Sequence, residues 1–169
     1  MVFFRIKKIK GKEYAYLVEN DWHRKGSRQT VKDYLGRVYR FELKNNVDFL
    51  EYLKIGSVKS YIDNNALKKI IDDLIKLELF KFGVDNEEFR VDLDYHTIQK
   101  NGKNVTLMIN DGFMCGLTLK NLLNFELEND EEQDGHRLAR AFVESGIKVP
   151  QEVFIELFGK LYKDTQLKD

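Results

Sequence analysis

Three groups of residues in this chain have types and spacings that could do chemistry. The first is a concentration of cations near the N-terminus: Arg5, Lys7, Lys8, Arg24, Lys25, Arg28, Lys32 and Arg37, interleaved with Tyr14, Tyr16 and Trp22. Lysine and arginine neutralise phosphates and release counterions, while tyrosine and tryptophan stack on unpaired bases, worth ~1–3 kcal/mol per base. The second is a set of carboxylates, Asp92, Asp94 and Asp111, preceded by Glu87 and Glu88. Hard oxygen donors of this kind hold Mg²⁺ and orient a water for phosphodiester hydrolysis, although polar alternation on a solvent-facing strand also produces an Asp-x-Asp pair. The third is Cys115, within Gly112-Phe113-Met114-Cys115-Gly116, just ahead of an expected helix, with His96 and His136 as candidate bases. A cysteine at a helix N-terminus can become a nucleophile, yet the flanking Phe113 and Met114 suit a small buried hydrophobe.

Other chemistry is not indicated. The single cysteine and three histidines show no metal-ligand spacing. Neither G-x-G-x-x-G nor G-x-x-x-x-G-K-[ST] occurs. No metal or nucleotide cofactor is therefore expected.

The charge is zero in total and uneven along the chain. Residues 1–44 hold 12 Lys/Arg against 5 Asp/Glu, residues 45–120 hold 10 against 12, and residues 121–169 hold 6 against 11. A basic end and an acidic end are a hint of nucleic-acid contact. The alternative is that the two ends neutralise each other, within the fold or across a dimer.

The elements that must position these residues follow from periodicity and turn residues. Strands are expected at Phe3–Ile9 and Glu13–Asn20 around Lys10-Gly11-Lys12, then at Arg28–Leu35 and Val38–Glu42 around Gly36-Arg37, with a polar loop at Asp21–Ser27. Alternation along these strands places Arg5, Lys7, Arg28 and Lys32 on one basic surface. Residues 47–83 read as helical, most clearly from Asn64 to Phe82, with Asp63, Asn64 or Asn65 as N-cap and Gly83 past the C-terminus. A second hairpin, Phe89–Gln99 and Lys103–Ile109, turns at Asn101-Gly102. Helices at Thr118–Phe125, Asp134–Ser145 and Gln151–Lys163 follow, with Glu126–Asp134 as a solvated loop. The last two helices flank Gly146–Pro150 and invite a helix-turn-helix reading, against which the acidic Glu152, Glu156 and Asp164 weigh. Segregated strands and helices predict an α+β fold: a basic β subdomain over 1–44 and an α+β body over 45–169, or one continuous domain.

With 169 residues, 43% hydrophobic and 33% charged, the chain can bury a core without staples. No apolar run approaches the roughly 20 residues that span a bilayer, the N-terminus lacks an apolar signal region, and one cysteine suits a reducing compartment. A cytoplasmic protein is expected, and the abundance of Lys, Asn and Ile suggests an A+T-rich prokaryotic genome.

The run Phe4-Arg5-Ile6-Lys7-Lys8, then Lys12 to Glu19, Lys25-Gly26-Ser27-Arg28-Gln29 and Val31-Lys32-Asp33-Tyr34-Leu35-Gly36-Arg37 resembles the opening segment of some DDE-type insertion-sequence transposases. Those begin with a similar basic β-hairpin. The chain is too short for that family's catalytic domain and shows no acidic triad, so the resemblance implies nucleic-acid contact for residues 4–37 and not transposition. The expectation is a non-enzymatic nucleic-acid-binding protein, RNA slightly ahead of DNA, that grips phosphates through the N-terminal cations. Its acidic helical C-terminus would serve a protein partner or self-association. The other readings are an interaction or homo-oligomeric module without nucleic acid, and a Mg²⁺-dependent hydrolase using Asp92, Asp94 and Asp111.

Overall fold

The chain opens with three long strands, β1 (Val2–Ile9), β2 (Lys12–His23) and β3 (Gly26–Arg40), followed by helices α1 (Phe49–Leu53), α2 (Val58–Asn64) and α3 (Leu67–Lys81). Four shorter strands come next, β4 (Arg90–Asp92), β5 (Thr97–Lys100), β6 (Lys103–Ile109) and β7 (Gly112–Met114), and then α4 (Gly116–Leu123), α5 (Glu131–Glu144) and α6 (Gln151–Gln166). The computed structural model describes residues 2–23, 26–128 and 130–166. It is 39% helical and 32% strand, an α+β fold as the residue pattern predicts.

Two-residue turns join β1 to β2, β5 to β6 and β6 to β7. Both residues of each turn have positive φ: Lys10 and Gly11 at 49° and 76°, Asn101 and Gly102 at 51° and 70°, Asn110 and Asp111 at 46° and 62°. That geometry matches the right-handed twist of the flanking strands. The strands form one sheet in the order β1-β2-β3-β6-β5-β4, with β7 also paired to β6. Neighbours are antiparallel except β3 and β6, which run parallel over Arg37–Arg40 and Val105–Met108. All of α1–α3 and β4–β5 lie between those two strands in the chain.

Several expected elements are corrected. The second strand pair is a single strand, β3, which passes straight through Gly36. That residue, at φ 98°, is not a turn: a Cβ on it would come within 2.3 Å of the Asn104 carbonyl oxygen, so glycine is needed for β3 to approach β6. The expected polar loop at Asp21–Ser27 is mostly strand, because β2 and β3 stay paired out to His23 and Gly26. Asn64 does not begin the long helix. It ends α2, whose Ser57 N-cap accepts from the Ser60 N–H at 3.3 Å, and the Asn65 side chain donates to the Tyr61 carbonyl at 2.7 Å. The long helix α3 starts only at Leu67, behind Ala66, with no side-chain cap. The strand expected over Phe89–Gln99 is broken at residues 93–96, and β7 is too short to leave a pattern. Asp134 is not in a solvated loop but fully buried in the first turns of α5, accepting from the Glu128 N–H at 2.9 Å and from Arg137 at 2.7 Å.

The main core joins the helices to the sheet through Ile70, Ile71, Leu74 and Ile75 of α3, Leu107 and Ile109 of β6, Leu119 and Leu122 of α4, Phe142 of α5 and Leu157 of α6. A smaller cluster lies on the other side of the sheet: Ala15, Leu35, Val38 and Cys115, with Phe4, Leu17, Met108 and Leu117 packed against it. Among the described residues no helix is long and apolar enough to cross a membrane.

Gly36→Ala will destabilise the protein by about 3 kcal/mol, since it combines a strained φ with a backbone overlap that cannot relax without parting β3 from β6. Urea denaturation will show the loss as a lower midpoint; an unchanged midpoint would mean the strands are not held this closely.

Candidate functional site

The register of the first three strands sorts the basic residues onto two faces. Arg5 lies opposite Tyr16, which lies opposite Tyr34; Lys7 lies opposite Tyr14, which lies opposite Arg37. These six side chains therefore share one face, the tyrosine face; alternation predicts Arg5 with Lys7 and Tyr14 with Tyr16, and the register joins the two pairs. Trp22, at the far end of β2, falls on the same side and is 79% exposed.

The expected grouping of Arg28 and Lys32 with Arg5 and Lys7 is overturned. β3 carries two register shifts against β2, so that Leu35 and Lys32 are extra residues without a partner. A bulge exchanges the faces of the residues beyond it, and the second restores what the first exchanged, so the pair re-aims the segment between them. Tyr34 and Val31 therefore both lie on the tyrosine face, while Arg28, opposite Asp21, lies on the reverse. Lys32 also reaches the reverse face, where it pairs with Glu19 at 2.5 Å. Lys8 stands there opposite Glu13, and Glu13 is held by Arg40 at 2.6 Å. The hydrogen bond from Arg40 lowers the Glu13 carboxyl below the usual range, and that from Lys32 does the same for Glu19. Cations on the reverse face are thus matched by carboxylates. Arg24 and Lys25 lie outside the described residues.

The tyrosine face is different. Lys7 Nζ sits 4.9 Å above the Tyr16 ring, Arg37 lies 4.8 Å above the Tyr39 ring, and Arg5 donates to the Gln29 side-chain oxygen. The Tyr34 ring is 5.3 Å from Tyr16 and 6.4 Å from Tyr14. Partial burial, then the neighbouring Tyr16 and Tyr14, push the Tyr34 phenol up, so it stays a neutral hydroxyl. No carboxylate pairs with Arg5, Lys7 or Arg37 among the described residues.

The parallel seam carries this face onto the body of the protein. Arg37 is level with Val105, and Lys103, two residues before it, stands opposite Lys100 across the β5–β6 hairpin. Where the sheet emerges from under the helices, a cleft of about 360 Å³ opens, lined by Tyr14, Tyr34 and Tyr39 with Lys12, Arg37, Lys100 and Lys103. Lys12, Tyr34, Tyr39, Lys100 and Lys103 are absent from the residues singled out by sequence. Tyr34 was hidden by the bulge, and the others depend on a strand pairing that no local pattern announces.

The carboxylates do not converge. Asp92 ends β4, where its side chain accepts from the N–H groups of Asp94 and Tyr95, each at 3.1 Å. Asp94 is in the following turn and pairs with Lys68, whose hydrogen bond lowers its carboxyl further. Asp111 sits in the β6–β7 turn and lines a separate cleft with Val143 and Lys148. No group of three or more His, Cys, Asp or Glu able to hold a metal forms among the described residues.

Cys115 is the N-cap of α4 and only 1% exposed. Burial pushes its thiol up, the opposite of what a nucleophile needs. His96 lines a cleft with it, whereas His136 is exposed on α5. Lys160 of α6, a cation that a groove-binding helix would present, instead donates to the Ile62 and Asn65 carbonyls at the end of α2, at 2.8 and 2.5 Å.

No protein-family model matches the chain, and neither a curated protein nor a solved structure is significantly similar to it.

Iodoacetamide at about pH 8 will leave Cys115 unmodified in the native protein and alkylate it on unfolding in urea, as a buried thiol with a raised pKa requires. Fast labelling of the folded protein, read by mass spectrometry, would restore the thiol as a candidate nucleophile.

Proposed function

We propose that this protein binds nucleic acid, with RNA ahead of DNA, through the tyrosine face of its N-terminal sheet. The observation that carries the reading is the sorting of charge. Cations on the reverse face are opposed by carboxylates, while Arg5, Lys7 and Arg37 stand among Tyr14, Tyr16 and Tyr34 without one. Cations of this kind attract a phosphate backbone, and exposed aromatic faces beside them take unpaired bases. Sequence-tolerant contact to single-stranded RNA uses the same combination of a sheet, aromatics and cations. The resemblance of residues 4–37 to the opening segment of insertion-sequence transposases points the same way. Binding is preferred to catalysis because the carboxylates are dispersed and the thiol is buried.

Charge reversal on each face provides the test. The double variant Arg5→Glu, Lys7→Glu will weaken binding to single-stranded RNA and lower the slope of log affinity against log salt by about 1.4, for two lost phosphate contacts. Arg28→Glu, Lys32→Glu on the reverse face will change both far less. Fluorescence anisotropy across a salt series reads both quantities. Equal loss from the two doubles would mean the faces do not differ. No binding by the folded protein at low salt would overturn the reading in favour of a protein-interaction module.

A further inference from the structure

We propose that the cleft between β3 and the β5–β6 hairpin is a base-binding subsite, taking one unpaired nucleobase of a single strand against its tyrosines and the adjoining phosphates on its lysines. This rests on the nucleic-acid reading above and deepens it, by naming the one cleft in which a base sits.

Size, composition and the cost of the arrangement all support the assignment. At about 360 Å³ the cleft is at the small end of the roughly 300–1,000 Å³ that ligand sites occupy, a size for one nucleotide unit rather than a helix. Its aromatic walls differ in exposure. Tyr39 is fixed from behind by Phe89, edge-on at 5.1 Å, and is covered by Arg37 and Lys100, each 4.8 Å from its ring. Tyr34 is 53% exposed and makes the open wall. Asn101 and Asn104 also line the cleft and offer amide donors and acceptors to a base edge.

The cations are placed at a cost to the fold. Lys100 and Lys103 stand directly opposite each other across β5 and β6, an arrangement that destabilises a sheet. Glu88 pairs with Lys100, but no carboxylate pairs with Lys103 or Lys12 among the described residues. The Arg37 Nε is buried without an acceptor, so its guanidinium is held by the Tyr39 ring and not by a counter-ion. Lys12 and Lys103 line the cleft without a carboxylate partner among the described residues, and a bound phosphate chain would neutralise them.

The test compares two probes of equal charge: oligouridylate of about 12 nucleotides, and the same backbone with every base replaced by an abasic site. Wild-type protein will bind the base-bearing strand about tenfold or more tightly than the abasic one in anisotropy titrations at one salt concentration. Tyr34→Ala, a substitution at an exposed side chain, will lower that ratio severalfold and weaken binding of the abasic strand far less. Tyr34→Phe will keep the preference, because stacking needs the ring and not the hydroxyl. Equal binding of the two probes by the wild type would overturn the subsite and leave the phosphate-gripping surface standing. Failure to bind either probe would remove the subsite and the underlying reading together.

Discussion

The short parallel seam between β3 and β6 is the constraint on which the rest of this structure depends. It is four residues long on each strand, Arg37–Arg40 against Val105–Met108, and closes a connection that contains three helices and two strands. Parallel pairs gain slightly less per residue than antiparallel ones, so a seam this short must be secured at its ends. At one end Gly36 lets the backbones meet, and the buried Thr106 hydroxyl donates to the Leu35 carbonyl at 2.7 Å. At the other, the Phe41 N–H continues the ladder to the Met108 carbonyl at 3.1 Å. Without the seam, the N-terminal strands would be a hairpin sheet with no fixed relation to Lys100, Lys103 and Phe89. With it, the same face of the sheet runs from a covered core at Leu107 to an open aromatic surface at Tyr34.

The two bulges in β3 have a comparable effect on charge. Exposed ion pairs such as Lys32–Glu19 and Arg40–Glu13 are screened by water and add little to stability. Their importance lies in which cations they occupy. Between the bulges Tyr34 is brought to the tyrosine face and Asp33 is sent to the reverse, where Lys32 and Arg28 already stand beside Glu19 and Asp21; the tyrosine face is left with cations that have no carboxylate opposite. A β surface with the same composition but no bulges would have spread its free charge over a different set of residues.

The helical body is tied together by buried polar groups that double as caps. Glu78, 1% exposed on α3, pairs with Lys81 at 2.9 Å and accepts from the Asn110 amide at 2.6 Å; that amide also donates to the Gly146 carbonyl beyond α5. Asp134 and Lys160 do similar work for the chain before α5 and for the end of α2. Such groups are costly to strand without partners, so they fix how the helices meet. They also show that part of the charge in the C-terminal third serves the interior of the fold and not a surface.

Local physics was enough to determine much of this protein from its residues alone. The Lys10-Gly11 and Asn101-Gly102 turns, the apolar spacing of Ile70, Ile71, Leu74 and Ile75, and the proline and glycines around the C-terminal helices each act over a few residues, so α3, α4, α6 and the first hairpin were legible. Alternation puts Arg5 with Lys7 and Tyr14 with Tyr16, each pair within one strand, and the register across the hairpin brings the two pairs onto one face. What only the tertiary structure decided involves contacts distant along the chain. Gly36 looked like a turn because its partner, Asn104, is remote in sequence. Asp134 is a local exception: acidity alone does not reveal that its side chain folds back to accept from the nearby Glu128 N–H. Arg28 and Lys32 fall on the reverse face because the register of β3 on β2 sets Arg28 opposite Asp21, and alternation within one strand does not say which of its faces matches the neighbour's. The cleft assembles Tyr34 with Tyr39, Lys100 and Lys103 across the β3–β6 seam, and hydrophobic periodicity, which reports which side of an element is buried, carries no information about which strands become neighbours.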